Sequence, residues 1–442
     1  MKNVFQSSWK SCPKNLQTGQ TAERESDDYS RICRGATARS QTPRLPDRPR
    51  SELRAGLGGL LRVRALVTSE AVLPNRAQPE ASPPTRTQHT GQVLLLAPSR
   101  GLGGGIERYV QTVQSAFDDA GVVSVRLDLA RSGPAGHRAL LAAGTAALAA
   151  MAGPVQMVIA HRALLPVTAL LARTRPVGSV SVICHGSDVW GTRWTPRHGL
   201  ERWLMRRSNV RLVAVSSFTA GALFSGGRAT ILPPGLSRSW FGELVSAADR
   251  VRDATDPAPR PGLEVMTAFR LDDWRDKGLP QLTAAISALG RSDIRLTVCG
   301  SGSPPADLLA HVRGYPWCAL RPGLTDTQLA RQFAQADLFV LATRARRGRR
   351  PCGEGFGLVL LEAQVAGTAV VGPAHGGSPD SYLDGVTGAT PKDEGVAALG
   401  QVLNELTCQP ARLADMGAQG ASLARARFAP DRYAALAVSR LL

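Results

Sequence analysis

EGFGLVLLEAQVAGTAVVG, residues 354–372, places a glycine-rich turn, an apolar helix and a short strand in direct succession. The helix predicted from about Phe356 to Ala366 is apolar on almost every side, which is typical of a helix buried inside a domain. Gly355 and Gly357 leave backbone amides uncovered where this helix begins, and amides at a helix N-terminus bind anions. The stretch therefore predicts a buried helix–strand unit of an α/β domain, with an anion site at the start of its helix.

Glu362 is the one charged residue inside this apolar helix. A buried carboxylate has to be paired or hydrogen-bonded, because leaving it bare in an apolar interior costs several kcal/mol. A pair of vicinal hydroxyls, such as a ribose diol, would satisfy the Glu362 carboxylate. Glu354 stands eight residues earlier, where the predicted helix begins. The purely structural alternative is that Glu354 caps the helix and Glu362 pairs with an arginine.

Strands and helices alternate on both sides of this stretch. Short apolar runs without polar alternation favour parallel strands covered on both faces by helices. The runs are QVLLLAP, VVSVRLDL, VQMVIA, SVSVICHG, RLVAVS and ATILPPG in one group, and LEVMTAF, IRLTVCG, DLFVLAT and TAVVGP in a second. The pattern predicts an α/β fold with two doubly wound domains in series. Ligands of such sheets bind at the carboxyl ends of the strands, so two domains suggest a cleft between them.

Shifts in composition set the predicted domain boundaries. A charged, proline-rich segment separates the two groups of strands, and the chain before the first group has no sustained apolar period. The predicted parts are a basic, mostly disordered extension 1–90, an N-terminal α/β domain 91–250, a linker 251–262, a C-terminal α/β domain 263–410, and a C-terminal segment 411–442. The extension is interpreted either as a regulatory or membrane-contacting tail or as the product of an upstream start codon.

Composition narrows the function classes. Lys+Arg 53 against Asp+Glu 35 gives a net charge of +18, which attracts anionic lipid, nucleotides and nucleic acid. The sequence contains none of the zinc-finger, basic-zipper or aromatic RNA-binding signatures, so we expect no nucleic-acid partner. Seven irregularly spaced cysteines exclude a disulfide scaffold and fit a reducing cytoplasm. The longest uncharged stretch, 139–160, is a poor membrane span, so any membrane contact is expected to be peripheral.

FRLDDWRDKG, residues 269–278, brings two cations to the loop after the first strand of the second domain. Arg270 and Lys277 flank this loop, and Lys277 is one of only five lysines in the chain. Two such cations can hold a diphosphate through charge-assisted hydrogen bonds. The alternative is a solvated basic loop.

GLGGGIERYV, residues 101–110, forms a glycine loop that opens a helix. It lacks the dinucleotide-binding spacing, because Ile106 stands where a third glycine is needed, and no Gly-Lys pair of a phosphate loop occurs in the chain. Gly104 and Gly105 still suit close approach of a phosphate or substrate. The arginine-rich run TRARRGRRPCGEG, 343–355, either contacts an acidic acceptor or is solvated.

His185 ends a predicted strand within VICHGSDVWG, residues 182–191, and so points toward the cleft. It can hydrogen-bond a substrate hydroxyl or transfer a proton, with Asp188 close by, whereas a single histidine in such a place is more often structural. His161 ends the preceding strand and is a weaker candidate of the same kind. The chain contains no Asp-x-Asp triplet, so no set of carboxylates is evident for a metal on a diphosphate.

These motifs together resemble the retaining GT-B glycosyltransferases of glycosyltransferase family 4, also called group 1, over residues 91–442. Glu354 and Glu362 match the family's E-x7-E pattern. Arg270 and Lys277 match its R-x6-K pair, which contacts the diphosphate. The stretch around His185 is similar to that of bacterial phosphatidylinositol and polysaccharide mannosyltransferases. The sequence departs from the family at Pro234, where Asn is frequent, and at Asp380, where Glu is frequent.

The resemblance implies a role for each matched residue. The second domain, 263–410, would bind a nucleotide sugar, a GDP- or UDP-sugar, and the first domain, 91–250, the acceptor. The C-terminal helices 411–442 would cross back to the first domain. Glu362 would hold the ribose and Glu354 the sugar hydroxyls, while Arg270 and Lys277 would neutralise the leaving diphosphate in place of a metal, so no cofactor is expected. His185 would line the sugar and acceptor side. The remaining donor-binding residues implied are Gly104, Gly105, Gly355, Phe356, Gly357 and Leu358.

The expected function is transfer of a hexosyl group, with mannosyl favoured, from a nucleotide sugar to a lipid-linked or cell-surface glycan, with retention of configuration. This places the enzyme in the cytoplasm, with its positive charge suited to peripheral contact with the membrane surface. Two alternatives remain: a sugar transferase with a small-molecule acceptor, and a non-enzymatic protein that binds polyanions or membranes.

Overall fold

Two six-stranded parallel sheets organise the chain in the computed structural model. The structure describes residues 91–98, 104–131, 133–190, 195–223, 229–253, 262–346 and 352–442. The predicted extension 1–90, most of the glycine loop and most of the predicted linker lie outside the described residues. The expected α/β fold with two doubly wound sheets is confirmed.

The first sheet has the strand order β2-β1-β3-β4-β5-β6, and all its pairs are parallel. Its central strands are buried on both faces, as their unbroken apolar sequences predict. Its strands are β1 Gln92–Ala97, β2 Ser124–Asp128, β3 Val155–Ile159, β4 Val180–Cys184, β5 Val210–Ala214 and β6 Ala229–Ile231. Its helices are α1 Gly105–Asp119, α2 Pro134–Ala150, α3 Leu165–Thr174, α4 Ser187–Trp190, α5 Pro196–Met205 and α6 Ser217–Ala222.

The second sheet has the strand order β12-β11-β10-β7-β8-β9 and is also parallel throughout. Its strands are β7 Leu263–Ala268, β8 Ile294–Gly300, β9 Cys318–Pro322, β10 Leu338–Val340, β11 Ala369–Val371 and β12 Gly388–Ala389. Its helices are α8 Leu279–Ala288, α9 Ala306–Arg313, α10 Asp326–Gln335, α11 Leu358–Val365 and α12 Val396–Thr407. The edge strands β9 and β12 were not predicted, because β12 has only two residues and the sequence of β9 carries little apolar pattern.

Helix α11 begins at Leu358, two residues later than the predicted start at Phe356. Gly357 has φ 80° and ψ 58°, a left-handed conformation that cannot continue into the helix. Phe356 therefore stays in the preceding turn, where its buried side chain meets Phe428 with ring centroids 6.3 Å apart. The helix is otherwise buried almost all round, as its sequence predicts.

Helix α7, Arg238–Arg252, follows the last strand of the first sheet but packs against α10 and α11 of the second. Its apolar face, with Trp240, Leu244 and Ala247 buried, is directed at the second domain. The structural boundary therefore lies before α7, and not at the predicted residue 250. The apolar periodicity of a helix shows that it packs on something but cannot show which of two domains provides the partner.

The last two helices divide between the domains. Helix α13, Pro410–Arg427, packs against α11 and β11 of the second domain, while α14, Pro430–Leu441, packs against α1 of the first. The return predicted for 411–442 is thus made by α14 alone. The Ser181 hydroxyl donates to the Leu441 carbonyl at 2.6 Å, and Arg211 donates to the Leu442 carbonyl at 2.6 Å, so the chain end is held on the first sheet.

The uncharged stretch 139–160 is divided between two elements. Helix α2 ends at Ala150, Gly153 turns the chain with φ 69°, and β3 begins at Val155. Within the part of the chain that the structure describes, no helix combines the length and apolarity needed to cross a membrane.

We expect Gly417→Ala to destabilise the protein, because a Cβ at this position in α13 would overlap the backbone carbonyl oxygen of Gly367. Forcing a methyl group into such a contact costs about 1–3 kcal/mol. Gly242→Ala in α7 is the matched control, since nothing lies within 4 Å of its Cβ position. Removing a helix-interior glycine there stabilises by about 0.5–1 kcal/mol. Urea unfolding of both variants checks the prediction, and equal effects of the two substitutions would contradict it.

Candidate functional site

The turn that carries Glu354 is held between the two domains. Glu354 forms a parallel bridge with Gly376, and its carbonyl accepts a hydrogen bond from the Gly377 amide at 2.9 Å. Gly355 lies directly on the carbonyl oxygen of His185 in the first domain, so closely that a Cβ at 355 would overlap that oxygen. A residue without a side chain is therefore required at 355 for this closed arrangement, and the turn lies in the cleft between the sheets.

Glu354 and Lys277 form the central ion pair of the cleft. The Lys277 Nζ lies 2.9 Å from Glu354 Oε2, and the Thr343 hydroxyl donates to the same oxygen at 3.2 Å. Burial by itself lowers the pKa of Lys277, but the Glu354 carboxylate outweighs it and holds that pKa above the ordinary lysine value. Both side chains are largely shielded, with 25% and 16% exposure. The ammonium group is therefore kept charged where a phosphate group can reach it.

Arg270 lies at the same edge of the sheet but does not join this ion pair. It precedes a short 3₁₀ turn, Leu271–Asp273, and its guanidinium donates twice to Asp273, at 3.0 and 2.6 Å. The side chain is 40% exposed, so part of the guanidinium still faces solvent. The structure thus pairs Lys277 with Glu354, whereas Arg270 pairs with Asp273 instead.

Glu362 is buried inside α11, with its side chain 3% exposed. Its Oε1 accepts a hydrogen bond from the Trp240 indole at 2.9 Å and from the Arg108 guanidinium at 3.4 Å. Burial raises the pKa of Glu362 above the ordinary value of 4.5, and Arg108 and Trp240 reduce the shift without cancelling it. Glu362 thus has the arginine partner that the structural alternative required, and in this conformation both of these contacts fall on one of its two oxygens.

Arg108 is a residue of the first domain whose side chain contacts Glu362 of the second domain. It lies in the first turn of α1, three residues after Gly105, and also pairs with Asp326 at 3.2 Å. Its guanidinium carbon lies 4.9 Å from the centre of the Trp240 ring, a cation–π contact. The glycine loop therefore leads directly to the buried carboxylate of the second domain, a connection that the sequence did not predict.

The start of α11 presents backbone amides next to a buried hydroxyl. Gly357 is the N-cap of α11 and Leu358 its first residue, so the first amides of the helix have no partner within the helix. The Ser378 hydroxyl is buried, has no partner among the described residues, and lies 3.1 Å from where a Cβ on Gly357 would be. A phosphate or sugar hydroxyl at this position would satisfy both groups.

His185 follows β4 and is held in one orientation. Its Nε2 lies 2.7 Å from the Ala160 carbonyl and therefore carries the hydrogen, which leaves Nδ1 as an acceptor. Its ring stacks on His161 with centroids 6.4 Å apart. Burial lowers the pKa of His185, although the Asp188 carboxylate opposes the shift. The imidazole is therefore neutral near neutral pH and suited to accept a hydrogen bond from a hydroxyl group.

Two further buried polar atoms of the first domain lie beside His185. Asp188 accepts from the amides of His185 and Gly186 through Oδ1, while its Oδ2 has no partner among the described residues. The indole N–H of Trp190 is likewise buried without such a partner, and its ring lies over Gly353 of the opposite domain. Buried polar atoms are normally hydrogen-bonded, so a cluster of exceptions at a cleft indicates a place for a polar ligand.

Asp380 fastens the two domains at the rim of the cleft. Its carboxylate accepts from the Ser217 amide at 2.5 Å and from the Ser217 hydroxyl at 2.7 Å, at the start of α6. An acidic group at a helix N-terminus is favourable for the helix dipole. Asp380, one of the two positions at which the sequence departs from the family pattern, is therefore an interdomain contact in this structure.

The described residues contain no group of three or more His, Cys, Asp or Glu side chains arranged to hold a metal ion. The arginine-rich run 343–355 is described only at its ends, where Arg346 pairs with Asp276 at 3.3 Å.

Sequence reasoning missed Arg108, Trp240, Asp326 and Thr343 as residues of the site. Arg108 and Thr343 stood within segments already singled out, whereas Trp240 and Asp326 carry no local signal.

Comparison with known proteins agrees with this architecture. Residues 263–408, which form most of the second domain, match the family described as "Glycosyl transferases group 1". Among solved structures, Anabaena HepE in complex with UDP-glucose superposes with a TM-score of 0.59 at 15% identity, covering 79% of this chain and 99% of that one. Sucrose-phosphate synthase from Thermosynechococcus elongatus gives 0.64 at 18% identity, covering 79% and 97%. The expected GT-B fold is confirmed.

Curated relatives are similar over parts of the chain. The GDP-mannose-dependent alpha-(1-6)-phosphatidylinositol monomannoside mannosyltransferase of Mycolicibacterium smegmatis is 28% identical over 57% of this chain and 66% of its own length. The D-inositol 3-phosphate glycosyltransferase of Streptomyces scabiei is 34% identical over 52% of this chain and 53% of its own length. The chain thus spans about half to two thirds of the length of these relatives.

We expect Glu362 to make stability fall as the pH rises. Because its pKa is raised in the folded chain, its contribution is fully present below the ordinary value of 4.5 and is lost as the pH rises through the folded-state pKa. Glu362→Gln removes this dependence. Urea unfolding of both proteins from acid to neutral pH should show the wild type losing stability relative to the variant, with exposed Glu405→Gln as control. Parallel curves for wild type and Glu362→Gln would show that the prediction is wrong.

Proposed function

We propose that this chain is a glycosyltransferase that binds a nucleotide sugar in the cleft between its two sheets, since residues 263–408 match the glycosyl transferases group 1 family and the fold is GT-B. The observation that carries the proposal is the Lys277–Glu354 pair, located where the α11 N-terminus meets His185 of the opposite domain. A charged ammonium, the amides at the start of α11 and a neutral imidazole together suit a substrate that has a diphosphate at one end and a sugar at the other.

The diphosphate would lie between Lys277 and the first amides of α11. Lys277 supplies a full positive charge and the helix N-terminus a partial one, so the charge that develops on the leaving group is stabilised from two sides. Arg270 would add a second cation after exchanging part of its contact with Asp273 for a phosphate oxygen. We propose that these cations replace a metal ion, so that transfer needs no divalent cation.

The nucleoside would be held by Glu362 through its ribose hydroxyls. The Trp240 indole fixes Oε1, which leaves Oε2 as the acceptor for a diol. Arg108 also lies against this carboxylate, so the ribose must either share Glu362 with Arg108 or move it toward Asp326. Glu354 would bind the sugar hydroxyls, with Lys277 and Thr343 fixing its orientation.

His185 would contact the sugar and the acceptor from the other side of the cleft. In the neutral form its Nδ1 accepts a hydrogen bond from a hydroxyl and orients it toward the anomeric carbon. We propose that configuration is retained, with the acceptor oxygen attacking from the face that the phosphate leaves. The proton of the acceptor hydroxyl would then pass to the departing phosphate oxygen.

We further propose GDP-mannose as donor and a lipid-linked acceptor. The support is the activity of the mycobacterial relatives, which are named as GDP-mannose-dependent mannosyltransferases of a phosphatidylinositol monomannoside. The relatives that are D-inositol 3-phosphate glycosyltransferases favour a second candidate, a small soluble acceptor. Both candidates share the proposed donor site and differ in the acceptor alone.

We expect GDP-mannose to raise the unfolding temperature of the full chain more than UDP-, ADP- or dTDP-sugars do. A ligand at about 100 times its Kd stabilises by about 2.7 kcal/mol, which thermal unfolding resolves readily. Lys277→Met should abolish the shift, because it removes the charge facing the diphosphate, whereas a chelator should leave it unchanged. Lys392→Met is the matched control, an exposed lysine elsewhere in the second domain. A shift that survives Lys277→Met, or that is absent with every sugar nucleotide, would count against the proposed site.

We expect radiolabelled mannose to pass from GDP-mannose to phosphatidylinositol-type lipid in detergent micelles and not to inositol phosphate. Extraction into organic solvent separates the two products directly. Glu354→Gln should reduce both transfer and donor hydrolysis, since the sugar loses its carboxylate contact. Label found mainly in a water-soluble inositol product would establish the second candidate instead.

A further inference from the structure

Helices α2, α3 and α5 form one outer side of the first domain. Their buried residues share a core with the same face of the sheet, including Leu94, Leu96 and Met157, and α3 packs against both of its neighbours. Helix α1 and the returning helix α14 pack together in the core on the other face. The outer surfaces of α2, α3 and α5 are thus neighbours on one side of the molecule.

Three large apolar side chains are exposed on this side. Leu170 on α3 is 46% exposed, and Leu200 and Trp203 on α5 are 45% and 55% exposed. Leu200 and Trp203 are three residues apart and so share one stripe of α5, while Glu201 and Leu204 are buried on its opposite side. The exposed face of α2 adds uncharged residues, mainly alanines, from 139 to 150.

Arginines surround these apolar side chains, and no exposed acidic residue accompanies them on the three helices. Arg202, Arg206 and Arg207 are exposed along α5 or directly after it, and the Arg207 guanidinium lies 4.4 Å from the Trp203 ring centre. Glu201 is the one acidic residue in these helices, and it is 2% exposed and held by Arg162 and Arg197. This side is therefore positive and apolar at once.

The excess of positive over negative charge extends along the sequence that forms this side of the molecule. Residues 129–242 contain thirteen arginines, no lysine, and only two acidic residues, Asp188 and Glu201. Both acids are engaged inside the domain, Asp188 with backbone amides and Glu201 with arginines. Solvated surfaces normally mix both signs of charge, so a long segment without free carboxylates indicates an anionic partner.

We propose that α3 and α5 dock this protein on the surface of an anionic lipid bilayer. Tryptophan and leucine gain by entering the interfacial region, and arginines beside them reach the phosphate groups while their stems cover apolar surface. A nucleic acid would match the arginines but would leave Leu170 and Leu200 without a favourable environment. The bilayer is therefore the partner that uses every exposed group of this surface.

The docking surface is connected to the cleft. Arg197 of α5 donates to the Ala163 carbonyl at 3.2 Å, and Arg162 contacts Glu201 at 3.6 Å, so α5 is fixed to the segment that follows β3. His161, directly before that segment, stacks on His185. The bilayer would thus lie next to the acceptor side of the cleft. This link to an acceptor rests on the proposed function, whereas the docking itself does not.

The test is co-sedimentation of the full chain with vesicles of phosphatidylcholine alone or of equal parts phosphatidylcholine and phosphatidylglycerol. The chain should bind the anionic vesicles, and high salt should weaken the binding. The triple variant Arg202→Glu, Arg206→Glu, Arg207→Glu should lower the affinity by about tenfold or more. Trp203→Ala should lower it less, and that loss should persist when salt is raised. The matched control is Arg295→Glu, Arg313→Glu, Arg331→Glu, the same charge change on exposed residues of the second domain.

Equal losses in the two triple variants would overturn the docking surface, because total charge alone would then explain binding. Undiminished binding of the α5 variant, or tighter binding of wild type to single-stranded RNA than to anionic vesicles through the same arginines, would also overturn it. The thermal shift with GDP-mannose is measured on the same samples. A shift without vesicle binding refutes docking and leaves the donor site in place, while vesicle binding without any sugar-nucleotide shift refutes the proposed function alone.

Discussion

The buried carboxylate of Glu362 is the constraint on which the arrangement of the two domains depends. A helix that is apolar almost all round cannot satisfy a carboxylate within itself, so the partners must come from outside the helix. They come from both sides of the molecule, since Trp240 follows the first sheet and packs on the second, and Arg108 belongs to the first domain. Closing the cleft therefore satisfies Glu362, and opening it would expose the carboxylate to water or to a ligand.

The closed cleft also places the turn that holds Glu354 against His185 of the first domain. Gly355 contacts the carbonyl of His185, so the turn that holds Glu354 can approach the first domain only because it has no side chain there. Lys277, Glu354 and Thr343 form one polar cluster in the second domain, on the turn that leads into α11 and on the segments next to it. The ion pair lies within the second domain, whereas the approach of Gly355 to His185 requires both domains, so the candidate site is complete only when the two domains meet.

The sequence predicted the two parallel sheets because their strands are unbroken apolar runs, and it predicted Glu354, Lys277 and His185 because each follows a strand or opens a helix. It misplaced the start of α11, since Gly357 adopts a left-handed conformation that ends the turn two residues later. It did not find Trp240 or Asp326, because their roles arise only when distant segments meet. It assigned α7 to the first domain, since periodicity does not identify the surface on which a helix packs. The donor roles of the matched residues remain predictions.

A crystal structure of the full chain with GDP-mannose bound is the most direct measurement of the central claim. The account predicts the diphosphate between Lys277 and the first amides of α11, the ribose hydroxyls on Glu362, and the sugar between Glu354 and His185. Trp240 should keep its hydrogen bond to Glu362 while Arg108 shifts toward Asp326 or shares the carboxylate. A nucleotide bound elsewhere, or a Glu362 that still contacts only Trp240 and Arg108 with the ligand present, would contradict it.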